Sequence, residues 1–311
     1  MIPRRSDADV EWDFDSEKWH LWPWKFWMTI GIGVLATEEG EGFARVRPNH
    51  IVFLSDTLGS FGDVFSHPRL HKMIVYPENG VYTTAANAMD RAAEFVPMLN
   101  ENIAGVPMAR RTYGNILDMI TASVFLYRKH RFQLEVLPEF RLPPEAFDPT
   151  IPGNQLPPDK DRKIQKRWVE FDTEFDVLVG AFDCRGQAHL FYIGRKGEVR
   201  NVSFPGFCAI GISPHAMFWL SHRAQRLGMS LKRSAYHAYE AKLLADDSPH
   251  VNDHVDMLIA NKDRYWFCST HPIQGPDLCS GSPVSLADLR VWYEEYGPSA
   301  TDNLESGNRL A

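Results

Sequence analysis

A layered α+β fold, with helices flanking packed antiparallel sheets, is what this sequence predicts, and three observations carry the prediction. Apolar segments arrive in runs: strands, two helices, strands, two helices and a last strand, rather than the strict alternation of a parallel sheet. Several strand candidates, 28–35 and 175–182 among them, are apolar or small at nearly every position, so both faces are buried inside a stack of layers. The chain has 311 residues, 44% of them hydrophobic and 23% charged, enough for a large core.

Residues 1–27 differ in character from the remainder of the chain. An acidic start (Asp7, Asp9, Glu11, Asp13, Asp15, Glu17) gives way to Trp19, Trp22, Trp24, Phe26 and Trp27, with Trp12 before them. Such an aromatic cluster is costly to leave in water, so the stretch reads as an extension or propeptide that docks on the domain or on a neighbouring subunit. The alternative is a chain that starts at Met28. In the first strand, 28–35, Thr29 follows that methionine. A threonine at a free N-terminus is one recognised nucleophile, because its own amine can accept the hydroxyl proton.

A polar loop to about residue 49 leads into a second strand, 50–56, apolar until Ser55 and Asp56. Gly59, Gly62 and Pro68 mark a long turn. A third strand at 72–76, the turn Pro77-Glu78-Asn79-Gly80 and a fourth strand at 81–84 make a hairpin. Ala88, Ala92, Phe95 and Leu99 then recur at helical spacing, with Pro97 expected to kink the helix. A second helix carries Ile116, Met119, Ile120, Ser123, Val124 and Tyr127 as one stripe. The segment from Pro138 to Pro158 holds seven prolines and no periodicity, and reads as an arm or insertion, about 138–168.

The second half repeats the pattern with strands at 175–182, 189–193 and 207–211, helices at about 214–226 and 231–245, and a strand at 255–259. From Tyr265 the chain is rich in Pro, Gly and Ser, with a short helix signalled by the capping pattern Ser285-Leu286-Ala287-Asp288, and 297–311 reads as disordered. The expected organisation is an extension at 1–27, a core domain at 28–264 and a C-terminal extension at 265–311.

Charge and cysteine usage narrow the function. A net charge of −7 argues against general nucleic-acid binding, which needs a basic face. No apolar run reaches the length of a membrane span, and the acidic N-terminus lacks the apolar core of a secretory signal. Cys184, Cys208, Cys268 and Cys279 lie far apart, as in a cytoplasmic protein with free thiols, and Cys208 in an apolar strand reads as an inert core thiol. His67 and His71, and His250 and His254, stand four apart, but Pro68 and Pro249 deny both pairs a helix, so no metal is expected. Gly31-Ile32-Gly33 lacks the remainder of a dinucleotide fingerprint, and no cofactor is expected.

The chain resembles the proteasome β-subunit branch of the N-terminal nucleophile (Ntn) hydrolases, in the style of the bacterial HslV and ancestral-β types. Thr29 opens the first strand, Phe53-Leu54-Ser55-Asp56 ends the second and Leu70-His71-Lys72-Met73-Ile74 opens the third. Thr84-Ala85-Ala86-Asn87-Ala88-Met89-Asp90 leads into the first helix, while 175–180 and Ala209-Ile210-Gly211 correspond to later strands. The steps of sixteen residues from Asp56 to Lys72 and fourteen from Lys72 to Ala86 match the family's. The resemblance spans about Thr29 to Ile259 and implies a four-layer αββα sandwich.

It also implies a site. Thr29 Oγ would attack a carbonyl while its α-amine, with an ordinary pKa of about 7.7–8.0, takes the proton. Lys72 would favour the neutral amine, Asp56 would hold Lys72, and the backbone N–H of Ala86 would donate to the oxyanion. Three departures bear on activity. Met28 stands where autoprocessed members carry Gly. Ile212 stands where they carry a supporting Ser, with Ser213 one place later. Val251-Asn252-Asp253 replaces Ser-Gly-Gly, with Asp247 or Asp253 as candidate support.

The expected function is therefore a cytoplasmic threonine peptidase that hydrolyses peptide amides in a homo-oligomeric ring or spiral, with an ATP-dependent unfoldase as a possible partner. A non-catalytic subunit whose extension stays attached and docks or gates is the alternative. An Ntn amidohydrolase acting on a small amide is a third reading.

Overall fold

The computed structural model describes residues 30–38, 47–57, 59–61, 65–67, 72–151, 156, 158–211, 213–223, 228–245, 254–270 and 280–296. In chain order, strands β1 (Ile30–Ala36) and β2 (His50–Ser55) precede a short hairpin, β3 (Gly59–Phe61) and β4 (Phe65–His67), and then β5 (Met73–Tyr76) and β6 (Val81–Asn87). Helices α1 (Met89–Ala104), α2 (Tyr113–Glu135) and α3 (Pro158–Glu170) come after them. Next are β7 (Phe175–Phe182), β8 (Ala188–Ile193), β9 (Val199–Asn201) and β10 (Phe207–Gly211). Helices α4 (Ser213–His222) and α5 (Leu231–Ala245), strands β11 (Asp256–Ala260) and β12 (Tyr265–Ser269), and helix α6 (Leu286–Tyr296) complete the described chain.

Among the described residues the strands form two five-stranded antiparallel sheets, ordered β10-β1-β2-β11-β12 and β5-β6-β7-β8-β9, beside the β3-β4 hairpin. The four-layer αββα sandwich follows from where each strand sends its side chains. On β1, Ile30, Ile32, Val34 and Ala36 pack with α5 residues Leu231, Ala235 and Ala238, while Leu35 joins Ile51, Phe53 and Leu178 between the sheets. On the far side Val177, Val179 and Ala181 of β7 meet Phe95 and Leu99 of α1 and Ile116 and Ile120 of α2. Strands buried on both faces lose the polar alternation of a half-exposed sheet, which is why their sequences read as continuous apolar runs. Gly33 has a packing reason: a Cβ there would come within 2.8 Å of the Phe53 ring on the neighbouring strand and 3.2 Å of Leu178 on the facing sheet, so glycine leaves room for the Phe53 ring between the sheets.

Pro97 lies inside α1, a single 16-residue helix. Several expectations are corrected. The long turn after Asp56 contains the β3-β4 hairpin. The proline-rich segment is followed by a real helix, α3, under which Phe132, Leu137, Phe147, Ile164 and Phe171 form a small core of their own. The Arg128 guanidinium sits 4.2 Å from the centre of the Trp168 ring and closes that cluster. At the other end β12 pairs with β11 along its whole length, and α6 buries Leu289 against the α4–α5 side, so sheet pairing crosses the expected boundary at residue 264. The extension at 1–27 and the tail at 297–311 lie outside the described residues.

Helix α5 carries unusual cargo for a core helix: His237, Glu240 and Lys242 are all buried. The guanidinium of Arg223 grips Glu240 through two bonds of 2.8 and 3.0 Å. Burial, reinforced by Arg233 and Arg223, pushes His237 down to about 3 from an ordinary 6.5. Between those two values the unfolded chain binds a proton that the folded chain does not. Stability is therefore full above pH 6.5 and falls as pH drops through that window. Going from pH 7 to pH 4 is expected to cost about 3 kcal/mol through this residue. Urea unfolding at both pH values checks it, since His237→Gln should remove most of the difference.

Candidate active site

The two sheets bring their functional ends to one end of the sandwich. β1 begins there at Ile30, flanked by Gly211 at the end of β10, while its next residue, Gly31, faces Ser55 at the end of β2. From the second sheet come the start of β5 at Met73 and the last residues of β6, where Ala86 is registered with Asp176 of β7. Crossing strands thus deliver residues distant in sequence to one place.

Asp56, fully buried, comes directly after β2. Its Oδ1 accepts the backbone N–H of Ile30 at 3.0 Å and the ammonium of Lys72 at 2.5 Å. That geometry ties the start of β1 to Lys72 through one carboxylate oxygen, a charge-assisted arrangement in a site without water screening. The Lys72 carbonyl in turn accepts the N–H of Ala85 at 2.9 Å, which fixes the β6 segment carrying Ala86 beside the pair. Asp56, Lys72 and Ala86 are therefore brought together. Met28, Thr29, Ile212, Asp247 and the 251–253 segment lie outside the described residues.

Burial pushes the pKa of Lys72 below the ordinary lysine value, and the charge of Lys242 pushes the same way. The charge and hydrogen bond of Asp56 oppose this, as does Asp256. Both Lys242 of α5 and Asp256 of β11 are fully buried. Sequence reasoning missed these two residues, although an ionisable residue at the mouth of an apolar strand (Asp256) and another on an alanine-rich helix face (Lys242) are visible signals.

Two buried hydroxyls, Ser55 Oγ and Thr84 Oγ1, have no hydrogen-bond partner among the described residues. Ser55 lies opposite Gly31, and Thr84 Oγ1 lies 3.1 Å from where a Cβ on Gly31 would be. Buried polar groups are almost always paired, so two orphaned hydroxyls between the sheets mark a place suited to a further polar group.

A cleft of about 630 Å³ opens beside this end, with Asp176, Tyr192, Arg195, Arg200, Gly211 and Met217 in its wall. Asp176 is nearly buried, with its carboxyl held by Tyr192 and Asn87, and burial raises its pKa against those bonds. Cys208 also lines the cleft, and burial pushes its thiol up to about 11, which keeps it protonated and unreactive at neutral pH. Asp176 was missed from the sequence, where it is the single charge in an otherwise apolar strand.

Comparison with protein-family models and with curated protein sequences finds no match. Solved structures do match. One is "Anbu (Gly-1) mutant" from Hyphomicrobium sp. strain MC1, with a TM-score of 0.52 and 15% identity, covering 86% of this chain and 97% of that one. Another is "Anbu (ancestral beta-subunit)" from Yersinia bercovieri, with a TM-score of 0.50 and 13% identity, covering 91% of this chain and 100% of that one. At such identity the likeness is one of fold and does not divide the HslV type from the ancestral-β type. Two antiparallel sheets, their flanking helices and these matches together give the chain the αββα fold of the proteasome-like Ntn hydrolases.

Proposed function

We propose that this chain is a proteasome-like subunit in which a threonine-hydrolase site is built but not armed while residues 1–28 remain attached. An amide nitrogen cannot serve as the base that an α-amine provides, so with the extension in place the Thr29 nitrogen offers its own hydroxyl no base. In that state the subunit is non-catalytic and acts through assembly, its Trp-rich extension serving as the docking or gating element. With Thr29 at the N-terminus, the same site hydrolyses peptide amides.

The observation that carries the hydrolytic half is the buried Asp56–Lys72 pair with Ile30 N–H on the same carboxylate oxygen. A protein gains little stability from burying an ion pair, because desolvation consumes most of the attraction. Retaining one directly beside the residue after Thr29 is explained by chemistry. The Lys72 charge disfavours protonation of a neighbouring α-amine, leaving it free to accept the Oγ proton. The Oγ then attacks the amide carbonyl, the N–H of Ala86 receives the developing oxyanion, and the proton passes to the leaving amine. Water releases the acyl group from the ester so formed. A polypeptide substrate, a homo-oligomeric ring or spiral and an ATP-dependent unfoldase belong to the same reading, which the family resemblance supports.

The test compares the intact 311-residue chain with one cut after Met28 at an engineered protease site. The cut chain is expected to hydrolyse peptide amides and the intact chain to have no activity above background. Equal activity in both would refute the role given to the Thr29 amine.

A further inference from the structure

The turn that takes the chain from β6 into α1 holds a backbone conformation that its residues do not favour. Asn87, directly after Ala86, has φ of 70°, in the left-handed region where side chains other than glycine are strained. Asparagine tolerates the region better than most residues, yet a free chain would not stay there. The surroundings supply the restraint. Asn87 Nδ2 donates to Asp176 Oδ2 at 2.5 Å, and the Tyr192 hydroxyl donates to the other oxygen of the same carboxylate at 2.9 Å. One residue further on, Ala88 N–H donates to the carbonyl of Glu174, itself at φ of 65°. Asp176 is also the register partner of Ala86 across β6 and β7, so the carboxylate that restrains Asn87 is fixed to the strand beside Ala86.

We infer that Asp176 is a positioning residue: through Asn87 it locks the course of the Ala86–Ala88 backbone and with it the direction of the Ala86 amide. Tyr192 holds the carboxylate in the rotamer that reaches Asn87, and both residues stand in the wall of the cleft. The catalytic consequence rests on the hydrolase reading given above, whereas the conformational claim stands without it.

Glycine provides the discriminating experiment, because it takes a positive φ without strain and needs no tether. Asp176→Ala is made in the parent and in the N87G background, both as the intact chain and as the chain beginning at Thr29. Hydrogen exchange at residues 86–88 and peptide hydrolysis are measured on each. Asp176→Ala is expected to speed exchange tenfold or more in the parent but less than twofold in N87G. It is expected to lower kcat tenfold or more, with KM unchanged, again in the parent alone. Equal damage in both backgrounds would mean that Asp176 merely supports the fold, and unchanged exchange in the parent would remove the tether altogether. Should Asp176→Ala not fold, Asn87→Ala read against Asn87→Gly makes the comparison from the other side of the hydrogen bond. If no chain hydrolyses peptides, exchange in the intact chain still decides the conformational claim, and the failure belongs to the hydrolase reading.

Discussion

Asp56→Ala is expected to destabilise the fold by about 3–5 kcal/mol, the range for removing one partner of a buried ion pair. The alanine leaves the Lys72 ammonium enclosed with its 2.5 Å contact gone, and it strips the Ile30 N–H of its acceptor. Lys72→Met should cost a similar amount, since the carboxylate is then the stranded charge. The double variant should cost clearly less than the sum, because neither stranded charge remains. Urea unfolding measures all three. The pH response gives a second signature. Without Asp56 the main influence that raises the Lys72 pKa is lost, only Asp256 still opposes burial, and the pKa falls further, so the unfolded state binds the extra proton. Stability of Asp56→Ala should therefore rise with pH towards about 10 more steeply than that of the parent, in which burial already holds the Lys72 pKa below its ordinary value.

The largest effect on activity belongs to Thr29. In the chain beginning at that residue, Thr29→Ala should lower kcat by at least about 10³-fold, because it removes the atom that bonds to the substrate carbonyl. Thr29→Ser keeps hydroxyl and amine and should retain measurable turnover. Acetylating the Thr29 amine should match the alanine variant in activity while leaving the unfolding curve unchanged, separating loss of the base from loss of the fold. A residual rate equal to the parent's after Thr29→Ala would place the nucleophile elsewhere.

How much of this was legible in the sequence depended on whether a residue's surroundings were written nearby. β1, β2 and β7 were readable because burial on both faces forces an apolar run, and α2 because its stripe is continuous. β9, which is Val199-Arg200-Asn201 on a sheet edge, carries no such signal, and neither do the three-residue strands of the β3-β4 hairpin. Helix α3 is largely charged, with Ile164 and Trp168 one turn apart as its main apolar contacts, and it comes after a proline-rich stretch that suggests no helix at all. β12 hid for the same reason, as an edge strand entering a Pro/Gly/Ser-rich tail.

At the site, the family resemblance, carried in part by the sixteen-residue step from Asp56 to Lys72, implied two residues that the fold brings into contact. The roles of Asp176, Lys242 and Asp256 depend on which strands and helices become neighbours, and no local spacing encodes that. The left-handed turn at Asn87 was equally hidden: Ala-Asn-Ala is compatible with a strand end, and the partners that hold the turn, the Asp176 carboxylate and the Glu174 carbonyl, are nearly ninety residues away.

The central claim is that Thr29, once N-terminal, is a nucleophile with its own base, armed by the Asp56–Lys72 pair. Its most direct test is the intact mass after treatment with a peptidyl epoxyketone, an electrophile that must bond both a threonine hydroxyl and the α-amine beside it. The account predicts a one-to-one adduct on Thr29 in the chain beginning there, and none on the intact 311-residue chain. No adduct on the shortened, folded chain, or equal labelling of both chains, would contradict it.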